Sequence, residues 1–404
     1  MSQNTSAASA AAPVGAPNVW TATAAGFSSG LVGIGLARFA YTPLIPALVN
    51  EGWFGPGDAA YLGAANLAGY LGGALFGRHL LRYATVATVL RMNMLLAAAS
   101  FFACAWPLSF SWFFVWRFAA GFSGAVLMVL AAPSILPHVP VTRRGLVSGI
   151  IFTGIGLGVM GSGTLVPLLL RYGLTWTWLG FGVLSLLLTA VSWFGWPREQ
   201  SRSAAATSRE TAPRFPWAMQ VVFLEYGLNA AGLVPHMIFL VDFIARGLGQ
   251  GLAYGALHWV VFGLGATMGP ACYGHLGDRI GFALALRLAL ILQAAMVGML
   301  AVTSAPPALI VSSFVIGSFV PGIVPVALGR VMELLPSASG RQVAAWSLAT
   351  AAWAVGQAIG AYGLSFVFAR TGDYPLLFTL GTLPLVAAAA IDVVIALAAR
   401  GKRI

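Results

Sequence analysis

The sequence contains little charge and almost no lysine. Only 8% of its 404 residues are Asp, Glu, Lys or Arg, while 59% are hydrophobic. Soluble domains carry about 25% charged residues, so a water-soluble globular protein is excluded. Lys402 is the single lysine among 21 basic residues. The chain therefore lacks the lysine of a nucleotide-binding P-loop and a buried lysine for a Schiff base.

Cysteines and clusters of metal ligands are also scarce. Cys104 and Cys272 both lie in apolar runs, which does not indicate a disulfide framework. The five histidines are scattered over different loops and apolar runs, so we predict no metal site and no cofactor. The formal charge of +11 does not indicate nucleic-acid binding, because the arginines are dispersed between apolar runs. No nucleophile–base pair stands out, and an enzyme is not expected.

Long apolar runs make up most of the remaining sequence. A helix needs about 20 apolar residues to cross the hydrocarbon core of a membrane. Clusters of charge, proline and glycine divide the chain into twelve runs of this kind. We therefore predict an all-α membrane protein with twelve transmembrane helices. The predicted spans are residues 20–48, 59–77, 86–106, 111–136, 145–170, 176–196, 216–244, 251–275, 283–303, 308–335, 343–369 and 375–399.

The distribution of arginine predicts the orientation of these spans. Sixteen of the 21 basic residues fall on the side that carries both termini, and only Arg171, Arg246 and Arg370 fall on the other. The positive-inside rule therefore predicts that both termini are cytoplasmic. The two remaining basic residues, Arg38 and Arg117, lie within spans.

The chain divides into two similar halves. Its longest polar stretch lies near the middle, and the pairs Leu136-Pro137 and Leu335-Pro336 end spans 4 and 10 about 200 residues apart. Repeats of this kind place a substrate site at their interface. The predicted units are a disordered cytoplasmic tail (1–19), an N-terminal six-helix bundle (20–196), a cytoplasmic linker (197–215), a C-terminal six-helix bundle (216–399) and a cytoplasmic tail (400–404).

Three stretches of sequence resemble the major facilitator superfamily. Residues 274–281 read Gly-x-Leu-x-Asp-Arg-x-Gly, which resembles its signature loop, and Arg117-x-x-x-Gly121 resembles its second motif. Residues 35–46, supported by Gly356-Gln357, resemble the YbfB/YjiJ-type transporters within the superfamily. The resemblance implies the major facilitator fold, a multi-pass secondary transporter of the bacterial inner membrane, and a cavity lined by helices 1, 4, 7 and 10.

The resemblance also implies an ionic latch on the cytoplasmic side. In the superfamily the signature loop joins an acidic residue at the end of helix 4 or helix 10. In the first half the corresponding positions are Gly77 and Ser134. We therefore expect a strong latch only in the second half, with unconnected surface charges as the alternative. The residues of this latch are Asp278, Arg279, Glu333 and Arg341.

Ionisable side chains within spans are candidates for function, because each costs about 2.5–3.5 kcal/mol on insertion scales. Arg38 and Arg117 are expected at similar depths. Two guanidinium groups facing one cavity favour a carboxylate or phosphate-bearing substrate. The alternative is that each arginine bonds backbone carbonyls. Tyr41 follows Arg38 by three residues and could stack on the substrate or simply pack.

Span 7 carries a polar stripe made of Glu225, Asn229, Gly232 and His236. Their spacing places all four on one helix face, which should face the cavity or another helix. Acidic and histidine side chains form proton relays in membrane carriers, so Glu225 is the best candidate for proton coupling. The alternative is a set of interhelical hydrogen bonds.

Other polar residues in the spans are expected mainly to join or pack helices. Gln357 and Asn66 are candidates for substrate contact, although hydrogen bonds between helices are the commoner use of such side chains. Asp242 is expected to pair with Arg246 four residues later, and Asp392 is expected to serve helix packing.

These observations together predict a proton-coupled secondary transporter that moves a small organic anion or amphipathic metabolite by alternating access. Its partners are the lipid bilayer, protons and a small-molecule substrate, and a monomer is expected. A drug or metabolite efflux pump is the alternative within transport. A channel or a non-translocating membrane sensor is the alternative from another class, although a channel is expected to show repeated pore motifs.

Overall fold

The computed structural model describes residues 18–140, 143–197, 215–335 and 339–401, and in these residues it consists of helices and short connections. The predicted N-terminal tail, linker and C-terminal tail lie almost entirely outside the described residues. The long helices are α1 (Val19–Asn50), α2 (Pro56–Phe76), α3 (Val86–Ala103), α4 (Phe110–Ile135), α5 (Arg144–Leu169), α6 (Leu174–Ser192), α7 (Trp217–Gly247), α8 (Leu252–Ile280), α9 (Phe282–Val302), α10 (Pro306–Leu334), α11 (Ser339–Thr371) and α12 (Tyr374–Gly401).

Each predicted span corresponds to one of these helices, so the twelve-helix fold is confirmed. Among the described residues, eleven helices are long and apolar enough to cross a membrane. The other one, α2, has 21 residues, which is sufficient length. Its mean hydropathy is lower because it contains five glycines, Asp58 and Asn66.

The connections between helices are short and have recognisable sequence signals. Side-chain oxygens of Thr85 and Ser109 accept backbone N–H groups at the starts of α3 and α4, as N-caps do. A single residue, Gly281, separates α8 from α9, and its φ of 82° is a conformation that favours glycine. Such tight connections make successive helices antiparallel within α1–α6 and within α7–α12. The second part of α1 contacts the second part of α7, which gives these two helices the same direction, so α1 begins and α12 ends on one side of the molecule. We call this the terminal face and the other the opposite face.

The helices pack as two groups, α1–α6 and α7–α12. Contacts between the groups are made chiefly by α5 with α8, α2 with α11, and the second part of α1 with α7. The first parts of α1 and α7 pack against helices of their own group. This arrangement is the two-repeat architecture that the sequence predicts.

Two helices differ from the prediction, because α1 and α7 are not continuous α-helices. In α1 a π-helical segment, Leu31–Leu36, is followed by a turn at residues 37–40 before the helix resumes at Tyr41. In α7 the α-helix ends at Gly232, and a π-helical segment begins at Pro235. Proline removes a backbone donor, and unwound backbone in a membrane is tolerated where protein surrounds it.

The two groups are in contact in the half of the molecule near the opposite face. Thr42 Oγ1 of α1 donates to the Met237 carbonyl of α7 at 2.6 Å. The indole Nε1 of Trp259 on α8 donates to Ser162 Oγ on α5 at 3.1 Å. The bond from Thr42 lies just beyond the break in α1, and the Trp259 ring packs 6.0 Å from the ring of Phe39 in that break. The two bonds hold the groups together on the opposite-face side.

Candidate functional site

A small cavity lies at the break in α1, where the two groups of helices meet. Its volume is about 20 Å³, which is room for roughly one water-sized group. The wall combines α1, α2 and α4 of the first group with α7 of the second. The polar side chains and the α7 residues on the wall are Arg38, Tyr41, Thr42, Asn66, Arg117, Met237 and Ile238.

Arg38 lies in the turn that interrupts α1 and is only 9% exposed. Its Cζ lies 5.0 Å from the ring centroids of both Phe39 and Tyr70. Its Nε atom has no hydrogen-bond partner within the described residues. The guanidinium is therefore held by aromatic faces and keeps its donors for another group.

Arg117 reaches the same cavity from α4 and is 2% exposed. Its Nη1 donates to the Ala37 carbonyl at 2.9 Å, a group freed by the break in α1. Its Cζ lies 4.3 Å from the ring centroid of Tyr41, whose hydroxyl donates to the Ala59 carbonyl at 2.8 Å. Arg117 thus has a structural bond, but its Nε is without a partner in the described part of the chain.

The charge of these arginines is not balanced by a nearby carboxylate. Three ion pairs occur among the described residues, and none involves Arg38 or Arg117. Burying a charge in a membrane protein without a partner is costly. The cavity is therefore a positively charged site that an anion would stabilise.

Asn66 of α2 completes the first-group wall of the cavity. Its Nδ2 donates to the carbonyls of Ala37 at 3.3 Å and Arg117 at 3.1 Å. Close packing makes this possible, because a side chain at Gly121 on α4 would overlap the backbone carbonyl of Asn66. The motif Arg117-x-x-x-Gly121 therefore brings α4 against α2 and fixes the arginine beside the amide.

The polar stripe of α7 faces helices of its own group. Asn229 Nδ2 donates to Gln293 Oε1 of α9 at 2.9 Å, and His236 Nε2 lies 2.7 Å from Ser312 Oγ of α10. Glu225 is 2% exposed, and its Oε1 has no partner among the described residues. Of the two settings expected for this stripe, the structure has the second, in which it faces other helices.

Gln357 of α11 lies at the break in α7 rather than on the wall of the cavity. Its Nε2 lies 3.5 Å from the sulfur of Met237, the residue whose carbonyl accepts the Thr42 hydroxyl. Gln357 therefore adjoins the site through Met237.

Of the predicted latch residues, Glu333 contacts the connection between α8 and α9. Glu333 at the end of α10 accepts the Phe282 backbone N–H at 2.8 Å and pairs with Arg330 at 3.0 Å. Asp278 and Arg279 form no ion pair within the part of the chain that is described. Arg341 lies at the start of α11. A latch that joins all four predicted residues remains a prediction.

The two other acids predicted within spans, Asp242 and Asp392, are held in ion pairs. Asp242 and Arg246 pair at 2.5 Å, which confirms the expected i, i+4 contact, and the Tyr374 hydroxyl donates to Asp242 at 2.6 Å. Asp392 of α12 pairs with Arg287 of α9 at 2.5 Å. These pairs join α7 to α12 and α9 to α12, away from the cavity.

Sequence reasoning missed the contributions of Tyr70, Thr42 and Met237. An aromatic residue or methionine in an apolar run carries no signal that separates a site wall from ordinary core. Thr42 lies beside Pro43 in the predicted first span, and this juxtaposition is the only hint that its hydroxyl serves a break. Asn66 was expected chiefly to join helices, and it does so while lining the cavity.

Comparison with known proteins identifies the family. No curated protein matches the sequence. A solved structure of a D-xylose–proton symporter superposes with a TM-score of 0.73 at 15% identity, covering 93% of this chain and 97% of the symporter; this likeness concerns the fold. The family model described as "Uncharacterised MFS-type transporter YbfB" matches residues 30–393. The chain is thus a multi-pass membrane transporter, not an enzyme, and it belongs to the YbfB family of the major facilitator superfamily.

Proposed function

We propose that this protein is a proton-coupled secondary transporter that carries a small organic anion across the bacterial inner membrane by alternating access. Both termini lie in the cytoplasm, so the terminal face is the cytoplasmic face, and the protein works as a monomer. The observation that carries the proposal is the placement of Arg38 and Arg117 on one buried cavity, without a carboxylate partner among the described residues.

The anionic nature of the substrate follows from the unbalanced charge. Guanidinium groups match carboxylate and phosphate oxygens in geometry as well as in charge. Arg38 supplies the freer donors, because only aromatic rings hold it. Arg117 supplies a second positive charge while one of its N–H groups remains on the Ala37 carbonyl.

The arrangement of contacts between the two groups supports alternating access. The bond from Thr42 to Met237 closes the opposite-face side, while the first parts of α1 and α7 pack within their own groups. This conformation would let a substrate approach from the terminal face. A cavity of about 20 Å³ holds only one small group, so the walls must separate to admit a whole substrate.

Proton coupling is assigned to the second group of helices. Glu225 and His236 lie on either side of the break in α7, Glu225 in the α-helix before it and His236 in the π-helical segment after it. The bonded pair of Asn229 and Gln293 lies between them. A carboxyl and an imidazole are thus both buried in α7, and acidic and histidine side chains are the groups that proton relays in membrane carriers use.

Uptake into proteoliposomes tests both parts of the proposal. A panel of labelled small carboxylates is offered with an imposed pH gradient, and at least one should accumulate and be lost when a protonophore collapses the gradient. Glu225→Gln should abolish accumulation driven by the gradient but keep counterflow exchange, because counterflow needs only substrate binding and the conformational change. Glu51→Gln, an exposed residue after α1, is the matched control and should behave as wild type.

The outcomes separate the alternatives. If Glu225→Gln accumulates carboxylate as wild type does, the assignment of Glu225 to coupling is wrong. Binding without counterflow of any carboxylate would indicate a sensor. Resistance of a sensitised host to uncharged or cationic drugs, without carboxylate transport, would indicate an efflux pump.

A further inference from the structure

We infer that the transported anion carries a hydroxyl group on the carbon next to its carboxylate, and that Asn66 Oδ1 is the acceptor that recognises this hydroxyl. The inference rests on the proposed transport of an anion and narrows the substrate class to 2-hydroxy carboxylates. It comes from one unpartnered amide oxygen on the wall of the arginine cavity.

The orientation of the Asn66 amide is fixed by its neighbours. Its nitrogen lies 3.3 Å from the Ala37 carbonyl and 3.1 Å from the Arg117 carbonyl. Both partners can only accept hydrogen bonds, so the NH₂ end must face them. A flipped amide would place three acceptors together, and the other end of the group is therefore the oxygen.

The oxygen of this amide is left without a donor. Asn66 is 1% exposed, and Oδ1 has no partner within the described residues. Buried acceptors are nearly always bonded, so this atom is available to a donor that enters the cavity. Because Asn66 lines the same cavity as both arginines, a ligand is the natural source.

The surroundings determine which donor fits. An ammonium group would enter beside two guanidinium charges, which repel it. A hydroxyl group is neutral, donates one hydrogen bond and is close to water in size. Asn66 Nδ2 and Arg117 Nη1 bond the same Ala37 carbonyl, at 3.3 and 2.9 Å, so the ends of the two side chains lie close together. A hydroxyl that meets Asn66 is therefore separated by very few bonds from a carboxylate that meets Arg117. A 2-hydroxy carboxylate satisfies both requirements.

Asn93 of α3 supplies a matched comparison. It is also buried, at 4% exposure, and its Oδ1 is also without a partner in the described part of the chain. Its Nδ2 donates to the Val89 carbonyl of its own helix at 2.8 Å. Asn93 does not line the arginine cavity, so it shares the residue type and burial of Asn66 but not its position.

The first experiment uses the wild-type protein and pairs of probes that differ by one hydroxyl. Apparent affinities are obtained from the rise in melting temperature with ligand concentration. The pairs are 2-hydroxypropanoate with propanoate and 2-hydroxybutanedioate with butanedioate, and 3-hydroxypropanoate is the positional control. The 2-hydroxy member should bind about 5- to 150-fold more tightly than its parent, the range expected when one buried neutral acceptor loses its donor. The 3-hydroxy compound should show little of this gain.

The second experiment asks whether Asn66 is responsible for the preference. Asn66→Leu should bring the ratio of affinities within each pair close to one, while Asn93→Leu should preserve the wild-type ratio. A purely structural role would weaken both members of a pair equally and leave the ratio unchanged. Asn66→Ala is used if the leucine variant does not fold, and the wild-type comparison tests the hydroxyl preference without any variant.

Each outcome has a separate meaning. Equal binding of both members by wild type overturns the hydroxyl inference and leaves the anion proposal standing. An unchanged ratio in Asn66→Leu or Asn66→Ala overturns the assignment to Asn66. If none of the carboxylates binds, the proposed anion transport fails, and the inference fails with it.

Discussion

Replacing Arg38 with methionine should weaken anion binding strongly without destabilising the protein. The side chain lies in a turn, is held by Phe39 and Tyr70 at 5.0 Å, and makes no ion pair with another described residue. Methionine keeps much of the apolar stem and removes only the charge and its donors. Arg117→Met serves as the comparison, because it also removes the 2.9 Å bond to Ala37.

The expected magnitudes follow from the surroundings of each arginine. Two unit charges 4 Å apart at an effective dielectric constant of 20 interact by about 4 kcal/mol, which corresponds to about 10³-fold in affinity as an upper limit. Stability should change little in Arg38→Met, because about 2.5–3.5 kcal/mol of burial cost is relieved while two cation–π contacts of about 0.5–2 kcal/mol each are lost. Arg117→Met should lose about 1.5–3 kcal/mol more, the contribution of a hydrogen bond from a charged group.

Two measurements check this prediction on purified protein. Ligand titration should show about 10²- to 10³-fold weaker binding of a carboxylate to both variants. Thermal unfolding without ligand should place Arg38→Met near wild type and Arg117→Met clearly below it. If Arg38→Met unfolds as early as Arg117→Met while still binding the carboxylate at full affinity, Arg38 is a structural residue and the reasoning is refuted.

Two further predictions concern contacts that do not involve Arg38 or Arg117. Thr42→Val removes the hydroxyl that donates to the Met237 carbonyl at 2.6 Å, worth about 0.5–1.5 kcal/mol. Spin labels in the loops after α1 and α11 should show a population shift of several-fold toward a wider opposite face. Tyr374→Phe removes the donor 2.6 Å from the buried Asp242 carboxylate, so thermal unfolding should show a loss of about 1.5–3 kcal/mol with transport retained.

Matched controls are present in the chain for both substitutions. The Thr189 hydroxyl donates to the Ser185 carbonyl within α6 at 2.7 Å, so Thr189→Val should leave the label distances unchanged. Tyr254 stacks edge-on against His258 rather than bonding a carboxylate through its hydroxyl, so Tyr254→Phe should unfold near wild type. An equal effect of Thr42→Val and Thr189→Val would mean that the bond to Met237 does not control the opposite face.

Much of the fold could be predicted from the sequence, because lipid leaves a spanning chain few options. Backbone groups in hydrocarbon must be bonded within a helix, so the length of each apolar run determines the length of each helix. The breaks in α1 and α7 could not be placed in the same way. Pro43 and Pro46 in α1 and Pro235 in α7 indicate bends, because proline lacks a backbone donor. The turn at residues 37–40, however, depends on hydrogen bonds that Arg117 and Asn66 donate to the Ala37 carbonyl. These two residues lie 80 and 29 positions away along the chain.

The candidate site could be predicted in part by counting the basic residues, without relying on a sequence motif. Topology accounts for nearly every basic residue, which leaves Arg38 and Arg117 as charges in need of a partner. A neutral polar residue cannot be singled out in this way, because the positive-inside rule makes no prediction about where neutral residues lie. The amide of Asn66 matters because of where its nitrogen is held, and that geometry exists only after α2 and α4 have packed at Gly121.

The walls of the cavity suggest how binding and conformation are linked. On one side, α2 and α4 are in backbone contact at Gly121 and Asn66, so this wall cannot yield without unpacking the first group. The facing wall is formed by Met237 and Ile238 of α7, and Met237 is the residue that accepts the closing bond from Thr42. A substrate larger than one water-sized group must therefore displace the α7 wall. In the proposed transport cycle, occupying the arginine site and loosening the opposite-face closure are therefore the same movement, which is the physical requirement for a carrier that opens to the other side only when loaded.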